Sequence, residues 1–564
     1  MKFFRLRLLS ILGIAAVLLA PFSANIVQAD TAPFEQFKPT VWSDSIREGG
    51  YTGIFFNDTQ RVFRAASGMI AVWYENGNQN GKALKSAQCA SVSDKACEGA
   101  TTYFYNAFIA ECETSTQTDC VEGITAIKED GTRIPGKFVQ QYPLHPTAAF
   151  TGDSLKGIPS GGSNSMWTFD GVTHQGGNKF LVSAVFSIYN GSVNLNSPNA
   201  FTVGLTPISI TQNSAARPFT FKTGEPDASG YPWFGQWEMP GTCTIPGDTG
   251  DCGTQWPFPQ GIRYQIKVRT ARPIGGFLHG RLDQPAITID SAPKATTTTI
   301  EAGPVRVPII GTMKKNSDLT PELNAYLDKL GDLGGDIGFI DRSKPRSRES
   351  IVVSRNFDEA TMKELGEYLL WLPVVKDQAV GTTSEWIART LSDQQIGAAN
   401  QTSCLSSKTS LTGMVSTNAG MYIASPPSFN PETQSLEYKV AAPHVDENGK
   451  ENLGTYSLVL RADVARCIYG FSNAPISAKI EVVSASGASQ IATTVVNEKN
   501  GWLTLSAAGY GYSNPTIKVK LSQATEEVVA PTKPAKKTIT CTKGKTLKKV
   551  TGTNPTCPKG YKQK

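Results

Sequence analysis

Histidine is scarce in this chain. There are four in 564 residues, His145, His174, His279 and His444, and no two stand at a His-x-x-x-His spacing. Cys-x-x-Cys pairs are absent too, so the common zinc-ligand patterns are missing and no metal site is expected. No Gly-x-Ser-x-Gly elbow occurs. Ser291-Ala-Pro-Lys294 matches Ser-x-x-Lys in letters, but a proline stands where that motif needs a helical turn, and Lys222-Thr-Gly224 precedes it in the wrong order. Asp248-Thr-Gly-Asp251 lacks the further oxygen ligands of a calcium loop and reads as a β-turn. Paired carboxylates cannot be picked out by spacing, because the partners come from distant strands. These absences leave no catalytic residue and no cofactor to name; a secreted hydrolase with an unrecognised site is the last of the readings kept.

Long apolar runs are confined to the start. Lys2, Arg5 and Arg7 precede an apolar stretch from Leu8 to Ala20, and Val27-Gln28-Ala29 supplies the small residues of a signal-peptidase site. The stretch is shorter than the ~20 residues of a membrane span, so 1–29 reads as a cleaved signal peptide. No cysteine follows the site, and no later stretch is long and apolar enough to span a bilayer, so no transmembrane segment is expected after cleavage. The expected address is outside the cell or on its surface.

Acidic residues are missing from the last stretch. Residues 533–564 hold ten lysines and no Asp or Glu, which changes how the formal charge of +6 is read. Removing +3 for the leader and +10 for this tail leaves −7 for residues 30–532. A mildly acidic body argues against nucleic acid as its partner, while the basic tail points to an anionic polymer of the cell envelope. Within the tail, residues 538–543 and 546–551 read as Thr/Val/Lys strands around Gly544 and Lys545, and about twenty-five residues need a crosslink to fold. The charges of interest are Lys543, Lys545, Lys548, Lys549, Lys559, Lys562 and Lys564. Upstream, 524–537 is a Pro/Ala/Lys/Glu stretch without apolar periodicity and reads as a linker.

Ten cysteines in an exported chain form a disulfide framework, and their spacing favours neighbours: Cys89 with Cys97, Cys112 with Cys120, Cys243 with Cys252, Cys404 with Cys467, and Cys541 with Cys557. By loop entropy the three short loops are each worth up to ~2.6 kcal/mol and the Cys404–Cys467 loop ~4.3 kcal/mol.

The pattern Cys541-Thr-Lys-Gly-Lys-Thr-x-Lys-Lys-Val-Thr-Gly, followed by Pro555-Thr-Cys557-Pro-x-Gly-Tyr-Lys, resembles a C-terminal module carried by uncharacterised secreted proteins of actinobacteria. Ala465-Arg-Cys-Ile-Tyr-Gly-Phe-Ser-Asn-Ala-Pro-Ile-Ser-Ala and Gly501-Trp-Leu-Thr-Leu-Ser-Ala resemble the same group, so the likeness covers the final third of the chain. The resemblance implies an address and an architecture, and no activity.

The body reads as mainly β, with 52 Gly and 34 Pro punctuating short apolar runs. Residues 30–293 give strand after strand, at 68–74, 101–112, 166–172, 179–189, 201–211, 262–270 and 286–290, and imply a large antiparallel, jelly-roll-like sandwich. Residues 294–395 form a mixed segment with two amphipathic helices that cover a sheet. The first spans 319–330, capped by Asp318 with Pro321 in its first turn; the second spans 358–372, with Leu365, Tyr368, Leu369 and Leu372 on one face. Residues 396–523 return to strands, near 437–442, 455–460, 478–483, 491–496, 502–507 and 516–521, and imply a smaller sandwich of immunoglobulin-like size. The tail module occupies 538–564.

Tyr231, Trp233, Phe234, Trp237, Trp256 and Phe258 crowd around the Cys243–Cys252 loop in sequence. Exposed ring faces of this kind bind sugars, so Trp233, Trp237 and Trp256 are a candidate glycan platform. The rings equally serve to pack on the disulfide and prolines at one end of the sandwich, and that reading is preferred. The sequence therefore reads as a secreted, envelope-associated structural or adhesive protein without catalytic activity, with a glycan-binding surface protein as the alternative.

Overall fold

A computed structural model describes residues 51–56, 67–77, 81–146, 148–153, 157–188, 200–227, 230, 232–238, 243, 245–330, 351–355, 361–472, 476–483, 489–490, 493–512, 516–523 and 536–564. The expected leader at 1–29 and residues 524–535 of the expected linker lie outside them. The described chain is mainly β, as its composition and punctuation imply.

One long sheet forms the spine. Its strands run in the spatial order Ala83–Gln88, Gly68–Tyr74, Thr102–Phe108, Lys179–Ile188, Ala200–Gln212, Ile387–Thr390, Gly276–Arg281, Leu411–Thr417, Leu453–Arg461, Trp502–Gly511 and Thr493–Lys499. Along this order only the pair Gly276–Arg281 with Leu411–Thr417 is parallel. The strand Ile387–Thr390 comes from the expected mixed segment, yet it lies between two strands of the first sandwich. Hydrogen bonding therefore crosses the sequence boundaries drawn at 293 and 395, because periodicity marks a strand without marking its partner.

The two expected sandwiches exist as two cores on opposite faces of this one sheet. On the first face packs a sheet built from Cys120–Lys128, Ile262–Thr270, Ala295–Gly303 and Asp283–Ala292. Strand Arg133–Tyr142 joins the layers, starting against Cys120–Lys128 and finishing against Asn164–Phe169, with a register shift between Phe138 and Gln140. Strands that change sheets through a bulge are how sandwich corners are made. Ala71, Phe180, Val182 and Leu205 from the spine meet Ile124, Tyr264, Ile266 and Ile300 there.

On the second face lie Ser435–Ala441, Thr516–Gln523 and Ile476–Val483, together with helices α1 (Pro321–Leu330), α2 (Met362–Trp371), α3 (Asp393–Gly397), α4 (Thr402–Leu405) and α5 (Ala462–Tyr469). Successive residues of the spine strands divide between the cores: Phe277, Val415, Leu458 and Leu460 face the helices, while Leu278, Met414 and Val459 face the other way. Gly276–Arg281 and Leu411–Thr417 are buried at every position, which is why neither shows the polar alternation of a one-faced strand.

Both expected amphipathic helices form and bury Leu323, Leu327, Leu365, Tyr368 and Trp371 against the sheet. The cap of α1 differs from the expectation. Asp318 sits in a preceding 3-10 turn, and Thr320 accepts the N–H of Leu323 on its hydroxyl at 3.2 Å. Pro321 has no N–H to offer and occupies the first helical position, so the residue before it becomes the cap. Helix α2 starts with a capping box in which the Thr361 hydroxyl accepts the Lys363 N–H at 3.2 Å and the Glu364 carboxylate accepts the Thr361 N–H at 2.9 Å. Helix α5, read only as part of a resemblance, has eight residues and ends on Gly470 in the left-handed region at φ 66°.

All five disulfides pair as spacing implies: Cys89–Cys97, Cys112–Cys120, Cys243–Cys252, Cys404–Cys467 and Cys541–Cys557. Cys404–Cys467 ties α4 to α5 across 63 residues of sequence.

Candidate functional site: the lysine-rich C-terminal sheet

The tail forms a three-stranded antiparallel sheet with Lys537–Lys543 in the middle, flanked by Thr546–Gly552 and Lys562–Gln563. A two-residue loop, Gly544-Lys545, joins the first two strands. Gly544 takes φ 55° there, as a tight hairpin of this length requires at its first loop position. Cys541 is fully buried and bonded to Cys557, while Ile539 and Val550 are half-buried beside it. This small apolar centre is what the crosslink supplements.

Lys543, Lys545, Lys548, Lys549, Lys559, Lys562 and Lys564 are all exposed. Among the described residues none of them takes part in an ion pair. Among the described residues, no carboxylate offsets their positive charge. On one face Thr538 and Thr551 hydroxyls are hydrogen-bonded at 2.7 Å, bracing the end of the strand pair opposite the turn.

The aromatic residues that crowd together in sequence are parted in space. Trp233 is half-buried against Phe104 and Phe221, with ring centroids 5.7 and 6.1 Å away. It lies on a hairpin, Arg217–Thr223 with Trp233–Glu238, that closes over the strand Ala83–Gln88, where Ser86 donates its N–H to Gly224 O and its hydroxyl to Pro232 O. Trp256 is half-buried elsewhere, its indole N–H donated to Ser209 Oγ at 2.8 Å and its ring against Gly176, where a Cβ would come within 2.1 Å of Nε1. The Phe104 and Ser209 strands are separated by Lys179–Ile188. Phe258 is buried in the first core, 5.3 Å from Tyr264. The side chains of Tyr231, Phe234 and Trp237 lie outside the described residues.

The residues capable of acid–base or ligand chemistry do not converge either. His145 donates its backbone N–H to Asp248 at 2.6 Å, a contact that leaves its ring uninvolved. His174 accepts the Gly176 N–H on Nδ1 at 3.1 Å and places Nε2 2.9 Å from Lys179 O, which fixes a neutral ring with its proton on Nε2. Burial holds its pKa below the ordinary histidine value. His444 bonds through its backbone to Asp377. Asp251 accepts both the N–H and the hydroxyl of Thr249, so the 248–251 stretch is a turn, as read. Lys294 lies within the two-residue Pro293-Lys294 hairpin loop, while Ser291 is on the preceding strand opposite Thr296. Among the described residues no group of three or more His, Cys, Asp or Glu could hold a metal ion.

One cluster escaped the sequence reading. Arg281 is fully buried and donates to the carbonyls of Thr417 at 3.1 Å, Gly420 at 3.4 Å and Ala419. Its guanidinium stands 4.5 Å from the ring centre of Tyr422, whose hydroxyl is 2.8 Å from His279 Nδ1. Tyr368, Tyr438, Tyr456, Tyr510 and Tyr512 belong to the same core, their phenols pushed up by burial. The signal was present in Gly276-Phe-Leu-His-Gly-Arg281, where polar residues alternate along a strand with no solvent face. With Arg281 and His279 at most 2% exposed, the cluster is shielded from solvent and holds residues 417–420 in place.

No family model, curated protein or solved structure matches the chain.

Proposed function

We propose that the chain is an exported structural or adhesive protein of the cell envelope, held at an anionic envelope polymer by its C-terminal sheet. The observation that supports this most is that sheet: a disulfide-stapled unit whose eight lysines from Lys537 to Lys564 are all exposed and which contains no Asp or Glu of its own. Five disulfides fit an oxidising compartment, and among the described residues no helix is long and apolar enough to cross a membrane. A body of opposite net charge gains nothing from the same polymer, so attraction is concentrated at the tail. The separated surroundings of Trp233 and Trp256 give a sugar platform less support than their sequence spacing did. The test is envelope binding by the full chain against a chain stopped at Thr532; equal binding would refute the role given to the tail.

A further inference from the structure

The two faces of the C-terminal sheet differ. Cys541 lies on one of them, and the segment carrying Cys557 is bonded across it. By strand alternation Lys543 shares this face, and register puts Lys548 opposite Cys541 on it as well. A Cβ on Gly560 would fall 3.4 Å from the Lys543 amine, so the returning chain also runs along this side.

The other face carries Thr538, Thr540 and Thr542 down the middle strand. Register sets Thr551 opposite Thr538, Lys549 opposite Thr540, Leu547 opposite Thr542, and Lys562 opposite Thr542 from the third strand. Short hydroxyl side chains thus form a floor flanked by Lys549 on one side and, beside Thr542, by Lys562 on the other. Strand geometry spaces the hydroxyls by ~6.8 Å along the floor and each rim by ~4.8 Å from it. Leu547, 61% exposed, adds an apolar contact at the turn end.

This arrangement selects among anions. The lysines stand on opposite rims and do not meet at a point, so an extended chain of charges fits better than a single ion. The tail contains no arginine, the residue whose planar fork grips carboxylates with two parallel bonds. Lysine is a point charge without a preferred plane and suits the tetrahedral phosphate, while threonine hydroxyls both donate and accept towards ester and alcohol oxygens. We infer that the threonine-floored, lysine-rimmed face binds a linear phosphodiester polymer of the envelope, lying along the strand of Thr538, Thr540 and Thr542. This rests on the envelope-binding reading above and names its ligand.

The experiment measures binding of the full mature chain to poly(glycerol phosphate), to polygalacturonate as a carboxylate polymer, and to isolated envelopes. It compares the wild type with Lys549→Gln/Lys562→Gln on the rims, Lys543→Gln/Lys548→Gln on the disulfide-bearing face, and Thr540→Val. All altered positions except Thr540 are exposed, and an unchanged melting temperature confirms the fold of each variant. The rim pair is expected to weaken poly(glycerol phosphate) binding about tenfold, with a much smaller loss for the pair on the disulfide-bearing face despite the same change of charge. Thr540→Val weakens it further than a purely electrostatic contact allows, and polygalacturonate binds less tightly than poly(glycerol phosphate). Equal losses in the two lysine pairs would overturn the trough, and equal affinity for the two polymers would overturn the phosphodiester assignment. If wild type binds envelopes but not poly(glycerol phosphate), the inference fails and the envelope reading stands; if it binds neither, both fail.

Discussion

Two buried side chains show how single residues set the tolerance of this fold. Arg281 carries a charge into the second core and satisfies three carbonyls of the turn after Leu411–Thr417. Arg281→Met keeps the volume and leaves those carbonyls without a donor, so a loss of about 3 kcal/mol is expected in urea unfolding. A loss below about 1 kcal/mol would mean that the turn finds other partners. His174 gives a pH dependence. Its folded pKa is depressed by burial, so the unfolded chain binds the proton more readily, and stability present above about pH 6.5 is lost as pH falls below it. His174→Gln should therefore show a smaller drop in melting temperature between pH 7 and pH 5 than the wild type; an equal drop would assign the acid sensitivity to other groups. Neither role was legible as such. The sequence displays His174 in a polar connection and Arg281 on an apolar strand, but the carbonyls that receive Arg281 lie 136 or more residues away.

Elements were legible where the pattern was strong and long. Gly68–Tyr74 and Ile262–Thr270 form at the bounds their residues imply, and α1 and α2 appear where the apolar spacing changes to a helical one. Short or polar elements were harder to see. Helix α5 offers only eight residues, and Arg217–Thr223 has no buried position to impose alternation. Helices of this length do not persist alone in water and depend on what they are attached to. For α4 and α5 that attachment includes Cys404–Cys467, whose removal by Ser substitution should cost ~4 kcal/mol, against ~2.5 kcal/mol for Cys89–Cys97 by loop entropy. Calorimetry on the two double variants compares them. A larger fall for the Cys89–Cys97 variant would show that native packing, not loop length, ranks these bridges. The difference has a structural reason to hold, since Cys89–Cys97 closes a loop already braced by Asp94, whose carboxylate accepts the N–H groups of Ala90 and Ala96 and is held below its usual pKa by them.

At the scale of the whole molecule, class was legible and assembly was not. Alternating runs and turn residues announce a β protein, and the cysteine spacing announces its bridges. Nothing local tells Ile387–Thr390 to insert between Ala200–Gln212 and Gly276–Arg281, so two sandwiches that look sequential share one sheet. The charge layout, by contrast, is a sequence property that the fold preserves: an acidic body and a tail whose described lysines are all exposed. Attraction of such a tail to an anionic polymer weakens as the Debye length shrinks from ~10 Å at 0.1 M salt to ~3 Å at 1 M. The most direct test measures how much protein stays with the cell envelope for the full chain and for a chain stopped at Thr532, at both salt concentrations. The predicted result is retention of the full chain at low salt, its release at high salt, and little retention of the shortened chain at either. Equal retention of the two chains, or tail-dependent retention that survives 1 M salt, would contradict electrostatic anchoring by the C-terminal sheet.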